Sequence, residues 1–473
     1  MATNAESPLL EEYVIDAVDH GELPARRSNT GRWSAAWFII GVEVAERFAY
    51  YGIASNLISY LTGPLGLSTA VAASNVNAWS GISCLLPVLG AFVADAFLGR
   101  YPTIIIASLV YVLLTSMSGL ALTLSACLVP ISTPSKHIAR VMSSSPSSLL
   151  NLLFFFSLYL VAVGQSGHKP CVQAFGADQF DETDPKERRE RSSFFNWWYL
   201  SMCAGVSLAI LVVVYIQEAV SWALGFGIPC VFMVMSLVLF VLGRRKYRYV
   251  RRRQEEEINP FTRVGRALLA PSACSASDVE DATALVRLIP VWLTTLTYAV
   301  PYAQYMTFFT KQGVTMERTI VPGVEIPPAS LQILMGLLIV IFVPIYDRVM
   351  VPIARSLNKD PCGITMLKRI GTGMALSSLT MVVAAMPSPH RAEKHRSRAL
   401  LEFIRVGSLL SSLLISVIGL ATGGDGGNSW FNSNLNRAHL DYFYWLLVVI
   451  SALGFFAFLI ISRSYIYRRV DGV

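Results

Sequence analysis

The stretch GVEVAERFAYYG carries Glu43, Glu46, Arg47 and Tyr50 at i, i+3, i+4 and i+7, so in a helix all four side chains project from one face. Their neighbours are apolar, and a charge at the centre of a membrane helix costs about 2.5–3.5 kcal/mol on insertion scales. Three such charges turned to lipid would cost roughly 7–10 kcal/mol, so the stripe is expected to face a polar cavity or to pair internally. The plainer reading is a Glu43–Arg47 pair that only locks the helix. It leaves Glu46 without a structural purpose. A carboxylate beside a guanidinium can exchange its proton when a substrate competes for the cation, so Glu43, Glu46 and Arg47 make a minimal proton-coupling element.

Lys169 lies near the end of an apolar stretch in SGHKPCVQAFGADQFDE, after Gly164 and Gly167 and before Pro170. Position alone fits either a cavity lysine or one that snorkels to the headgroups. His168 beside it reads as a packing residue. In GAFVADAFLGRYPTI, Asp95 and Arg100 flank a short glycine-containing turn, and YDRVMVPIAR repeats that chemistry with Asp347, Arg348 and Arg355 at the matching place in the second half. One copy alone is explained by loop solvation. The repetition suits a gate or charge latch beside a helix end.

The elements that must position these residues are apolar runs at about 34–61, 76–98, 102–130, 148–170, 197–217 and 222–243, then 286–310, 328–353, 364–386, 401–420 and 441–462. Each approaches the ~20 residues needed to cross about 30 Å of hydrocarbon. Only 15% of the 473 residues are charged and 54% are hydrophobic, with a mean hydropathy of +0.52. A soluble domain carries roughly a quarter charged residues. The expected class is therefore an all-α integral membrane protein with about 11 spans in two helical bundles.

The expected organisation is a cytosolic, disordered tail over 1–33, a six-helix bundle over 34–243, a basic cytosolic linker over 244–285, a second bundle over 286–466, and a cytosolic tail over 467–473. The net charge of +7 resides in loops. That is the positive-inside pattern, so a lipid bilayer is the expected partner and nucleic acid is not. Arg244, Arg245, Lys246, Arg248, Arg251, Arg252 and Arg253 read as an anchor of this kind. Seven scattered cysteines without a CxxC support neither a metal site nor a disulfide framework. No P-loop, HExxH or GxSxG occurs, so an enzyme is not expected. The acidic N-terminus lacks a signal-peptide pattern, and the first span is expected to serve as its own insertion signal. Arg26, Arg27 and Arg32 place one end in the cytosol, and Arg463, Arg468 and Arg469 place the other there too. An odd number of crossings cannot satisfy both. The densely basic segment 387–403 marks where a helix is expected to be missing.

These stretches together resemble the proton-coupled oligopeptide transporter family, and most closely its plant nitrate/peptide transporter branch. The resemblance rests on ExxERFAYY (Glu43 to Tyr51), GAFVADAFLGRY (Gly90 to Tyr101), HKPCVQAFGADQFDE (His168 to Glu182), SSFFNWWY (Ser192 to Tyr199), TFFTKQGVTMER (Thr307 to Arg318) and NLNRAHLDYFYWLL (Asn434 to Leu447), in the family's order. It implies a major-facilitator fold of 12 helices around a central cavity, alternating access, and symport of a small solute with protons as the coupling ion and no cofactor. Glu43, Glu46 and Arg47 match the family's proton-coupling motif, Lys169 its cavity lysine, and Tyr50 and Tyr51 its cavity aromatics. Family nitrate carriers that use a histidine on the seventh helix place it before an Ala-Gln pair. Here Tyr302 precedes Ala303 and Gln304. A neutral phenol offers no imidazolium near pH 7, which leaves Arg47 or Lys169 to hold nitrate. Met202 and Cys203 replace the family's Ile-Asn pair, and the linker after Gly265 and Arg266 is short. The tenth helix is missing at the same place the charge parity indicates, which disfavours peptide substrates. Nitrate, a peptide, a hormone or another organic anion, carried across a plasma or vacuolar membrane, is the expected function. A truncated, transport-deficient product is the alternative.

Overall fold

The computed structural model describes residues 12–113, 146–250, 260–314, 318–321, 324–345, 366–385 and 440–464, with positions 349, 353, 356 and 415 besides. It is helical almost throughout, and the chain divides into two compact units. One unit comprises Met1–Gly66, Ile82–Arg252 and Arg318–Gly336, and the other Leu67–Gly81, Arg253–Glu317 and Leu337–Val473.

The principal helices of the first unit are α1 (Arg32–Ala54), α2 (Leu57–Thr62), the later part of α3 (Thr69–Val93) and α4 (Arg100–Leu113), then α5 (Pro146–Ala177), α6 (Pro185–Leu208), α7 (Val214–Ala219) and α8 (Trp222–Leu242). A π-helical turn, Ala94–Leu98, continues α3, and another, Ala209–Val213, joins α6 to α7. α6 starts where its sequence dictates. The Asp184 carboxylate accepts from the Lys186 amide, Pro185 takes the first turn, and Glu187 complements the positive helix end. Small residues set the close approaches. A Cβ on Gly205 of α6 would lie 2.8 Å from the Val44 carbonyl and 3.1 Å from Arg47 Cβ, so the α1–α6 contact at Arg47 requires glycine.

The second unit holds α9 (Pro260–Leu269), α10 (Ala276–Ala303), α11 (Phe308–Gly313), most of α12 (Ile333–Ile345), α13 (Met366–Ala385) and α14 (Leu440–Ser464). Its core gathers Val291 and Tyr298 from α10, Met374 from α13 and Phe458 from α14.

Helices occupy the described part of ten of the eleven apolar runs read from the sequence, with 114–130 and most of 346–353 outside the described residues. Apart from Ile415, the run at 401–420 and the basic segment 387–403 lie outside the described residues. Among the described residues, five helical stretches combine the length and hydropathy of a membrane span: Thr69–Leu98, Pro185–Ala219, Trp222–Arg245, Ala276–Gly313 and Leu440–Arg463. At most 33% of each apolar window is buried, so most of the apolar surface points outward, as in a protein solvated by lipid. α1 falls outside this group because Glu43, Glu46 and Arg47 interrupt every long window in it.

Two sequence expectations change. Residues 1–33 read as a disordered tail, yet β1 (Tyr13–Val18) and β2 (Pro24–Arg26) form an antiparallel hairpin, and β3 (Tyr249–Val250) pairs with β1's other edge. The Asp19 carboxylate forms the turn by accepting from the Gly21 and Leu23 amides at 2.8 and 3.1 Å. Arg248 read as part of a positive-inside anchor, yet it is 1% exposed and ion-paired inside the protein. A hydrophilic segment orders when its charges find fixed counter-charges, and composition carries no trace of such a tertiary partner.

Candidate functional site

α1 turns its charged stripe inward. Glu43 and Glu46 are fully buried and Arg47 is 2% exposed. Arg47 Nε donates to Glu43 Oε1 at 2.6 Å and lies 3.0 Å from Glu46 Oε2. The i,i+4 spacing sets the first contact, and the helix turn brings the second carboxylate to the same guanidinium. Gln165 on α5 donates from Nε2 to Glu46 Oε1 at 3.2 Å. One guanidinium thus serves two buried carboxylates, an excess of one negative charge that a single proton cancels. Glu43 Oε2 and Glu46 Oε2 accept no hydrogen bond from any described residue.

Lys169 is half-buried one turn beyond Gln165 on α5, within electrostatic reach of Glu43. Tyr50 and Tyr51 are buried on α1 with their rings edge to face at 5.2 Å. In the second unit, Tyr302 is half-buried and stacked on Tyr305 at 6.2 Å. Gln304 is buried there, donating to the Val300 carbonyl at 2.8 Å and accepting from the Thr307 hydroxyl at 3.4 Å.

At the α3–α4 turn, Arg100 Nε lies 3.4 Å from Asp95 Oδ1. Its stronger partner is Asp178, just beyond α5, which accepts from Nη1 at 2.7 and 2.5 Å through its two oxygens. Asp347, Arg348 and Arg355 lie outside the described residues. Asp178 and Gln165 were not singled out from the sequence. Asp178 sits within HKPCVQAFGADQFDE, but nothing local distinguishes it from Asp181 or Glu182.

A second ionic cluster joins the hairpin to the start of α6 and the end of α8. Arg248 Nη1 donates to Glu187 Oε2 at 2.6 Å and to the Gln179 carbonyl at 3.2 Å. Arg27 reaches Asp181 at 2.5 Å and Glu187 at 3.4 Å, and Arg32 pairs with Glu190 at 2.5 Å. Gly31, at φ +71°, lies against the Arg248 guanidinium with no room for a Cβ. Burial works to raise the Asp181 carboxyl, but the Thr183 hydroxyl and amide and the Arg27 guanidinium outweigh it and hold the group below its ordinary value.

The POT family sequence profile matches residues 101–272 and 255–422. The chain belongs to the POT family. Protein NRT1/ PTR FAMILY 5.13 of Arabidopsis thaliana is 63% identical over 573 residues, covering 100% of both chains. NRT1/ PTR FAMILY 5.14 of the same plant is 62% identical over 569 residues, again covering 100% of both. The chain has 473 residues, so the first alignment holds about 100 positions with no counterpart here. Among solved structures, an auto inhibited POT family peptide transporter superposes with a TM-score of 0.67 at 19% identity, covering 93% of this chain and 98% of that one. A peptide transporter POT in complex with sulfate gives 0.62 at 17% identity, covering 94% and 98%. The fold is thus that of the major-facilitator-type POT transporters. The chain is an integral membrane transporter-family protein of the plant NRT1/PTR branch, not an enzyme.

Proposed function

We propose that this POT-family chain is a proton-coupled symporter of a small solute, working by alternating access, with Glu43, Glu46 and Arg47 as its proton-coupling element. The supporting observation is that two fully buried carboxylates share one guanidinium, at 2.6 and 3.0 Å. Such a cluster carries an excess negative charge in a site where charge is costly, so it takes up a proton, and holds it more tightly when an anion draws the cation away. An anionic solute near Arg47 competes with the carboxylates for that cation. Proton binding and solute binding thereby become linked. Lys169, Tyr50 and Tyr51 are the proposed substrate contacts of the first unit, and Tyr302 and Gln304 those of the second. Asp95 and Arg100 are the proposed latch, with Asp347, Arg348 and Arg355 as its counterpart. Proton entry down a 100 mV inside-negative potential supplies ~2.3 kcal/mol per charge. Nitrate, peptides, hormones and other organic anions are the candidate solutes, and the plasma and vacuolar membranes the candidate locations.

The test is uptake of nitrate, dipeptides, plant hormones and glucosinolate-like conjugates by cells expressing the chain. Uptake of at least one is expected to rise on external acidification and to collapse with a protonophore. Uptake indifferent to both treatments would sink the coupling.

The 100 alignment positions without a counterpart favour a second reading, a shortened product unable to transport. Sequencing the transcript across the codons for 386–403 tests it. A message encoding a further helix there would make the short chain an artefact of its gene structure. A message without one, together with no flux of any solute, would support this reading.

A further inference from the structure

His168 is fully buried on α5, and neither of its ring nitrogens has a hydrogen-bond partner among the described residues. It stands three residues after Gln165, so the two side chains share the helix face on which Gln165 bonds Glu46. Glu46 and Arg47 of α1 are the charged groups within its electrostatic reach, Tyr111 of α4 is buried in the same field, and Lys169 follows on its own helix. Gln165 Oε1 and Glu43 Oε2 are likewise buried and accept no hydrogen bond from any described residue. Buried polar atoms without partners are rare because each costs roughly 1–3 kcal/mol. So many unpaired atoms around one ion cluster mark a place where hydrogen bonds form in another protonation state.

We infer that His168 is a positioning residue of the proton-coupling element, whose imidazole accepts a hydrogen bond from the protonated form of Glu46, directly or through one water. A neutral imidazole offers one N–H and one lone pair. A carboxylic acid O–H can donate to that lone pair, which an ionised carboxylate cannot do, and the ring N–H makes no bond to Glu46 while that carboxylate stands beside Arg47. The imidazole thereby favours the proton-loaded state of Glu46. This role rests on Glu46 being a proton carrier, as proposed above.

The experiment is infrared difference spectroscopy of the full chain in lipid nanodiscs, following carboxylic-acid C=O absorption against pH. The band removed by Glu46→Gln belongs to Glu46. In His168→Leu its titration midpoint is expected to fall by about 0.4–1 pH unit, the equivalent of one lost hydrogen bond. His168→Asn, which keeps an acceptor, is expected to restore most of the shift. In the unsubstituted protein, the ring ¹⁵N resonances of His168 are expected to change with the same midpoint. An unmoved midpoint in both variants, or ring resonances constant across it, overturns the role of His168 alone. If Glu46→Gln removes no titrating band, the proton-coupling assignment of Glu46 fails as well.

Discussion

Glu187→Gln isolates what a single buried charge does in the ionic cluster beside the hairpin. The change keeps side-chain shape and removes the only carboxylate that pairs with Arg248 among the described residues. Arg27 retains Asp181 at 2.5 Å and Asp184 at 3.6 Å, so its charge stays compensated. Arg248 keeps only neutral acceptors among the described residues, the Gln179 carbonyl at 3.2 Å and the amide oxygen of the new side chain, with its own side chain 1% exposed. Removing one partner of a buried pair typically costs about 3–5 kcal/mol. If that loss is local, the amides fixed by the cluster should exchange with deuterium on the order of 10²–10³-fold faster. The reporting amides are Asp181, bonded to Glu187 Oε2 at 2.8 Å, and Arg32, bonded to the Gln179 carbonyl at 2.7 Å. Adding Arg248→Met should recover most of the protection. Gln179 holds the backbone of residue 248 through both ends of its own amide, at 3.1 and 2.8 Å, and those bonds need no arginine side chain. Hydrogen exchange read by mass spectrometry on peptides covering 24–33, 178–191 and 246–250 provides the measurement. Exchange unchanged in Glu187→Gln would refute the buried-charge argument. Equal exchange in the single and double variants would show that the stranded arginine is not the cause.

Further outcomes follow from the same geometry. Gly205→Ala should lower the thermal midpoint in detergent, at a cost of about 1–3 kcal/mol, because the added methyl meets the Val44 carbonyl at 2.8 Å; an unchanged midpoint would mean that α1 and α6 have slack there. Asp178→Asn should speed amide exchange at the α3–α4 turn more than Asp95→Asn, since Asp178 holds Arg100 with both oxygens at 2.7 and 2.5 Å while Asp95 stands at 3.4 Å; the reverse order would contradict the pairing. The Asp181 carboxyl is held below its ordinary value in the fold, so its contribution is present above the unfolded value near 3.9 and is lost as pH falls through the lower folded value. Exchange in residues 13–26 should therefore rise on acidification below about pH 4, less so in Asp181→Asn, and identical profiles in the two proteins would refute it.

What the sequence determined by itself is whatever depends on local spacing and on solvent. Apolar runs of membrane length have no other use than to be helical in lipid, because an unpaired backbone group there costs several kcal/mol. The i,i+4 offset placed Glu43 beside Arg47 before any fold was known, and burial followed from the cost of exposing charge to hydrocarbon. Six ordered blocks carried the family. What only the tertiary structure decided is which distant groups meet. Gln165 reaches Glu46 across 119 positions, Asp178 reaches Arg100 across 78, and Glu187 meets Arg248 across 61. Such pairings are set by how helices pack through residues such as Gly205, and the local sequence of a carboxylate is the same whether its partner is water or a buried guanidinium. The segment over 13–32 had the composition of a disordered tail for that reason: Arg27 and Arg32 meet Asp181, Glu187 and Glu190 more than 150 residues away, and β1 pairs with Tyr249–Val250.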